Sequence, residues 1–314
     1  MTIREGGRQD YSAIARLMRF THSMPATEAL LVERDATRKK PSKIHVAEQD
    51  GQVIGFSRCD RWHSERPVRY VLSVAIEPEY RRSGLGGELY ARAETSACEL
   101  GATQLWLQHV ETNDVGARFA AARGYTNSFT LHELFLDPVT WTSDLEDPAP
   151  KLQSEGISLT RYGDFEDSPD NRRNLYDIVM AAEQDVPHFG ADERPEFESW
   201  EKTFIQSSRF QPDTIGVALD GAEWVGVGAI GEFAPGIYMN TITGVRRSHR
   251  KRNIALALKL QGIHLLKEKG VRELRTQNHG TNEAMLGLNV KLGFKRMPSW
   301  QFLERTLEQP SNVE

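Results

Sequence analysis

Residues Ile76-Glu77-Pro78-Glu79-Tyr80-Arg81-Arg82-Ser83-Gly84-Leu85-Gly86-Gly87 join an apolar run to a long amphipathic one, with two arginines and three glycines between them. That combination suits an anion. Glycines let backbone approach a ligand without a Cβ in the way. The first N–H groups of a helix have no intrahelical partner and, with the helix dipole, favour negative charge. Arginines add full charge, so a pyrophosphate is the expected guest. The same residues could form a glycine turn with solvated arginines, but the strand-to-helix setting argues against that reading. A G-x-x-x-x-G-K-[ST] loop is absent, and arginines fill the positions where a G-x-G-x-x-G fingerprint would begin.

The loop is written twice. A shift of 169 residues carries Arg81 onto Arg250, Gly101 onto Gly270, Gln108 onto Gln277, Asn113 onto Asn282 and Gly124-Tyr125 onto Gly293-Phe294, with no gap from Ile76/Val245 to Tyr125/Phe294. So long a period means two domains rather than a solenoid. The second copy reads Arg250-Lys251-Arg252-Asn253-Ile254-Ala255, with Asn253 where the first has Gly84. Asparagine tolerates the left-handed backbone better than other non-glycine residues, so this loop is expected to survive.

The elements that must hold these loops recur in the same order. A short strand (2–4; 157–161) precedes helical stretches (11–21 and 26–38; 172–183 and 196–206), each set including a segment that leads to a proline, Pro25 or Pro187. Strand pairs follow (44–48 with 52–58; 214–219 with 223–230), turning at Asp50-Gly51 and Asp220-Gly221, a strong hairpin signal. A strand (70–76; 238–245) then enters the basic loop. Leu85, Leu89, Ala93 and Ala97, and likewise Ile254, Leu258, Gly262 and Leu266, lie four apart and predict one buried stripe per helix. Last come a strand (104–110; 273–277) and a helix (114–122; 282–292). The expected fold class is α/β, a mixed sheet flanked by helices in two tandem domains: 1–138, a linker 139–155 rich in proline and acid, and 156–314.

The motif Arg81-x-x-Gly84-x-Gly86 resembles the [QR]-x-x-G-x-[GA] acyl-CoA loop of the GNAT superfamily of N-acyltransferases. The later Asn113…Phe119…Arg123-Gly124-Tyr125 is similar to that family's asparagine-bearing last helix. Thr243-Gly244-Val245, His249-Arg250 and Asn282…Asn289…Leu292-Gly293-Phe294 resemble the C-terminal half of tandem members. The resemblance spans nearly the whole chain outside the linker and implies acetyl-CoA as co-substrate. It implies contacts from Val74, Ala75, Ile76, Arg81, Arg82, Ser83, Gly84, Leu85, Gly86, Gly87 and Asn113, and in the second half from Val245, Arg250, Lys251, Arg252, Asn253, Ile254, Ala255 and Asn282. It also implies a strand splayed open at Ser73–Ile76 and Thr243–Val245, where a backbone N–H can meet a thioester carbonyl. The family often carries a tyrosine on the last helix as acid for the thiolate. Here Ala120 and Asn289 stand at the matching positions, so that role does not carry over.

Candidate bases are Glu183, Asp185 and His188 around Val186-Pro187, with Glu77 and Glu79 beside the cradle and His109, Glu111 and His279 after strands. Each has a bland alternative as a solvated or structural group, as do Phe189 and Trp200 as pocket walls. Asn289 is a further candidate for the cofactor or the catalytic site. The expected activity is transfer of an acetyl group to a primary amine of a small molecule or protein. A non-catalytic CoA-binding module is the alternative from another class. A narrower reading, a mycothiol-synthase-like enzyme, has against it that the better-kept loop lies in the N-terminal half.

The remaining expectations follow from composition. Net charge is −5 with pI near 6.0, which argues against a nucleic-acid partner. Cys59 and Cys98 match no metal or disulfide spacing and are expected as reduced thiols. The N-terminus lacks an apolar run and no stretch suits a membrane span, so a cytoplasmic protein without metal is expected. Nothing in the sequence speaks to oligomeric state.

Overall fold

The computed structural model describes residues 1–21, 26–36, 41–62, 67–186 and 194–307. The chain packs as two compact units, Met1–Leu131 with Pro298–Glu314, and His132–Met297. Their chain order is mostly that expected from the repeat.

The first unit runs β1 (Thr2–Glu5), α1 (Tyr11–Met18), α2 (Glu28–Ala36), β2 (Ser42–Gln49), β3 (Gln52–Arg61), β4 (Arg69–Ile76), α3 (Leu85–Glu99), β5 (Gln104–Val110), α4 (Asp114–Ala121) and the start of β6 (Thr126–Leu136). The second unit takes the end of β6, then α5 (Ala149–Ser154), β7 (Ile157–Arg161), α6 (Pro169–Glu183), α7 (Phe197–Thr203), β8 (Ile215–Asp220), β9 (Glu223–Ala234), β10 (Ile237–Val245), α8 (Ile254–Glu268), β11 (Glu273–His279), α9 (Glu283–Lys291) and β12 (Lys295–Arg296). The final strand, β13 (Trp300–Thr306), belongs to the first unit.

Within the first unit the strand order is β1-β2-β3-β4-β5-β13-β6. β4 and β5 are parallel, and β13 runs antiparallel to β5 from Trp300–Val110 to Thr306–Gln104. Within the second unit the order is β7-β8-β9-β10-β11 and then the end of β6, with β10 and β11 parallel. The sequence reading did not anticipate β6 or β13, and packing gives residues 298–314 to the first unit rather than the second. The apolar Trp300, Phe302 and Leu303 suit a strand, but only tertiary pairing says which sheet takes it.

The expected helical stripes are buried. Leu85, Leu89, Ala93 and Ala97 are at most 1% exposed, in contact with β-strand residues such as Tyr70, Leu72 and Leu105. Ile254, Leu258 and Leu266 are at most 3% exposed. The Asp50-Gly51 turn has φ of 52° and 75°, as the sequence pair requires.

The segment expected as an extended linker is tied down instead. Trp141 Nε1 donates to the Leu292 carbonyl at 2.7 Å. Arg272 donates to Asp137 at 2.9 Å. Leu152 on α5 is 1% exposed and packs with Ile157 and Val225. Two apolar side chains, too few to show a period, are enough to anchor it. Among the described residues no helix is long and apolar enough to cross a membrane. The prolines expected after the first helices, Pro25 and Pro187, lie outside the described residues.

Candidate functional site

In the first unit the parallel pairing of β4 with β5 begins at Arg69–Gln104 and ends at Leu72–Leu107. β4 then continues to Ile76 and β5 to Val110, so the strands part over residues 73–76. On its other edge β4 stays paired to β3 as far as Ile76–Gly55. The result is a wedge with the backbone of Ser73, Val74, Ala75 and Ile76 along one wall.

Beyond Ile76 the loop is held from within. Arg81 Nε donates to the Ile76 carbonyl at 3.0 Å, and Ser83 Oγ donates to the Tyr80 carbonyl at 2.8 Å. Arg82 and Gly84 are left-handed, with φ of 64° and 90°. Gly84 is the N-cap of α3 and has no side chain to fill the first turn. Two left-handed residues ahead of the first turn leave N–H groups at the start of α3 in a turn of the kind that forms an anion-binding nest. Gly86 serves packing as well: a Cβ there would lie 3.3 Å from Ile76 Cδ1. Leu85 is buried, while Arg81, Arg82 and Ser83 are exposed.

The second unit repeats this in detail. β10 pairs with β11 only as far as Asn240–Thr276, and its register against β9 slips between Asn240 and Ile242. Arg250 Nε donates to the Val245 carbonyl at 3.1 Å. Lys251 and Asn253 take φ of 63° and 65°, reproducing Arg82 and Gly84. The backbone therefore keeps its shape despite Asn253. Ala255 fills the place of Gly86, so a methyl group is accommodated there. The left-handed Arg82 and Lys251 carried no sequence signal, since neither residue type prefers that region.

The charge around the second loop differs. Asp185 accepts from Arg247 at 2.8 Å and also pairs with Arg250. The Arg247 hydrogen bond above all, with Arg250, holds the Asp185 carboxyl below the usual range. A carboxylate so occupied is poorly suited to take a proton. Arg252 is paired to Glu155 at 3.0 Å. In the first unit the polarity is reversed: Glu77, 7% exposed, pairs with Arg16 and lies 3.4 Å from Arg19. Glu77 is thus a buried ion-pair partner rather than a solvated loop charge, while Glu79 is exposed.

The other candidates separate clearly. Glu183 ends α6, next to Ala182, which packs on Gly244; burial pushes its carboxyl pKa up, the direction a general base needs. His188 and Phe189 lie outside the described residues. Asn289 is fully buried and its Nδ2 donates to Asn278 Oδ1 at 2.7 Å. Asn113 and Asn282 are helix N-caps, accepting from Gly116 N at 3.0 Å and Met285 N at 3.2 Å. Trp200 is core, stacked on Phe204 at 4.9 Å. Glu111 accepts from Ser299 N at 2.8 Å, and His279 Nδ1 lies 2.7 Å from Thr281 Oγ1. Cys59 is buried and Cys98 exposed, both as free thiols; burial pushes the Cys59 thiol up to about 11. Among the described residues no group of three His, Cys, Asp or Glu gathers as a metal site would.

The site is thus a mixed sheet with one parallel pair opened into a wedge, leading to a helix whose N-cap is a left-handed glycine. Comparison with known proteins agrees. The model of the Acetyltransferase (GNAT) family matches residues 10–125. A mycothiol acetyltransferase of Rhodococcus opacus (strain B4) is 27% identical over 267 residues, covering 80% of this chain and 79% of that protein. A tandem GNAT protein from the clavulanic acid biosynthesis pathway superposes with a TM-score of 0.75 at 19% identity, covering 99% of both chains. A GCN5-related N-acetyltransferase from Sphaerobacter thermophilus gives 0.73 at 22% identity, covering 97% of this chain and 95% of that one. At such identities the solved structures speak for the fold alone. The family match covers residues 10–125, so by sequence it is the first unit that resembles the GNAT acetyltransferases, and the relatives matched over most of the chain carry acetyltransferase names.

Proposed function

We propose that the first unit binds acetyl-CoA and transfers its acetyl group to a primary amine of a small molecule or protein. The reading is carried by one observation: the open edge of β4 over residues 73–76 runs directly into the nest at Arg81–Gly87. The pyrophosphate would lie on the N–H groups of Ser83, Gly84, Leu85 and Gly86, with Arg81 and Arg82 supplying charge, while the Gly87 N–H donates to the Gly84 carbonyl at 2.9 Å and shapes the turn. The pantetheine arm would extend along Val74, Ala75 and Ile76, adding to the sheet as a strand does. A backbone N–H in the wedge would stabilise the oxyanion formed on amine attack. Holding both substrates makes that attack effectively unimolecular. Asn113 supports the reading less than its sequence suggested, because its carbonyl oxygen is occupied in capping α4.

In the second unit the nest geometry at Arg250, Lys251, Arg252, Asn253, Ile254 and Ala255 suits the same ligand, with Val245 on the arm. Asp185 competes there for Arg250, so the second site is the weaker of the two. Asn282, like Asn113, is used as a cap.

Calorimetric titration with acetyl-CoA tests this in the wild type, in Gly84→Glu/Gly86→Glu and in Arg250→Glu/Asn253→Glu. Binding lost only in the first variant assigns the cofactor to the first unit. Half the stoichiometry lost in each variant assigns a site to both. No binding in the wild type ends the proposal.

The named relative, a mycothiol acetyltransferase, supports the narrower mycothiol-synthase-like reading, for which cysteinyl-glucosaminyl-inositol is the acceptor to assay. The likeness covers four fifths of the chain at 27% identity. Release of CoA with that amine, but not with glucosamine or free cysteine, would establish the acceptor. Tight acetyl-CoA binding with no turnover on any amine would favour a binding module.

A further inference from the structure

The first unit holds a buried imidazole that the reading above leaves unused. His109 is 8% exposed on β5. The unbroken register of β5 against β13 puts it on the same face as Leu105 and Leu107, which pack with Ala93, Phe119 and Ala120 of α3 and α4. Its Nδ1 lies 2.9 Å from the Val110 carbonyl oxygen. A carbonyl only accepts, so Nδ1 carries the proton and donates. Nε2, on the far side of the ring, is buried without a hydrogen-bond partner. Buried polar atoms normally have one, and an exception calls for a reason.

The internal repeat supplies it. The position matching His109 on β11 is Asn278, which accepts from Asn289 of α9 at 2.7 Å. In the first unit the matching pair is His109 and Ala120, and Ala120 has no polar side-chain atom. The second unit thus has two amides joined by one hydrogen bond, where the first has an imidazole at one position and an apolar side chain at the other. The location matters as much. Pairing of β4 with β5 ends at Leu72–Leu107, so His109 stands two residues, roughly 7 Å, beyond the vertex of the wedge.

Resting on the function proposed above, we propose that His109 Nε2 protonates the CoA thiolate as it leaves in the first unit. An acyl-CoA with its pyrophosphate on the nest and its arm along β4 brings its thioester toward the vertex. The amine nitrogen bonds to the carbonyl carbon, and the carbon–sulfur bond breaks as the tetrahedral intermediate collapses. The imidazolium gives its Nε2 proton to sulfur. Two protons leave the ammonium for solvent, and one returns from solvent to the ring. The products are one amide and one CoA thiol. The Val110 carbonyl accepts from Nδ1 and fixes the ring.

The test needs no acceptor. Affinities for CoA and for desulfo-CoA are measured by calorimetry in wild type, His109→Gln and His109→Asn, the last installing the residue of the second unit. If two equivalents bind, the Arg250→Glu/Asn253→Glu background confines the measurement to the first unit. Wild type is expected to prefer CoA over desulfo-CoA by about five-fold, the net worth of one hydrogen bond, and both variants to lose the preference while binding desulfo-CoA as before. The ultraviolet absorbance of the thiolate should show bound CoA ionising about one pH unit or more below free CoA in wild type, and not in the variants. A bound thiol that ionises like free CoA in the wild-type protein overturns the assignment, even if neither variant folds. Equal preference in wild type and variants overturns it too. Absence of CoA binding altogether is a different failure, that of the acetyl-CoA reading itself.

Discussion

Lys259 on α8 is 6% exposed, beside a small cavity lined by Asn240, Thr243, Leu258 and Phe294. Its ammonium donates to Asn240 Oδ1 and lies 5.8 Å from the Phe294 ring centroid. Asn240 in turn bonds through Nδ2 to the Ala229 and Ile242 carbonyls at 3.0 and 3.1 Å, bridging the slip in β10. Burial pushes the lysine down from 10.5 to about 7. The unfolded chain therefore holds a proton that the folded chain lacks between those values, so stability rises with pH across that window. Equivalently, a penalty on the folded state is complete below about pH 7 and gone above about 10.5. At about 1.4 kcal/mol per pH unit the penalty is about 4 kcal/mol at pH 7 and about 1 kcal/mol at pH 10. Lys259→Met removes it, but also loses one hydrogen bond and some packing fit, together about 2 kcal/mol. The variant should thus be about 2 kcal/mol more stable than wild type at pH 7 and about 1 kcal/mol less stable at pH 10. Urea unfolding of both proteins at intervals across that range measures the gap. A gap that does not change with pH would refute the reasoning, because only a shifted lysine makes it vary.

Two further outcomes follow from single contacts. Gly244→Ala would place a methyl group against the Ala182 side chain and 2.9 Å from its Cα, so α6 must move; a loss of about 2 kcal/mol or more is expected in thermal unfolding, and a neutral effect would mean α6 is not seated on β10. Asn113→Ala removes an N-cap and should cost about 1 kcal/mol while leaving acetyl-CoA affinity unchanged by calorimetry; an affinity loss of ten-fold or more would restore Asn113 to the cofactor site.

The sequence alone determined the duplication, the order of most elements and the left-handed backbone of the two basic loops. Those features are local: a four-residue stripe, an Asp-Gly turn, or a glycine before a helix acts through its nearest neighbours in the chain. The same logic made Asn253 legible as a left-handed residue, and φ of 65° follows. Tertiary structure decided what depends on partners remote in sequence. β13 lies almost 200 residues from the β5 strand it joins, and its short apolar run names no partner strand. Asp185 is spent on Arg247 and Arg250, over 60 residues away, and no spacing rule links them. Asn113 looked like a ligand contact and is a cap; His109 looked like one histidine among several and is buried with an unmatched nitrogen. Whether a polar side chain is free to act depends on which of its atoms are already satisfied, and that is fixed only when the chain has folded around it.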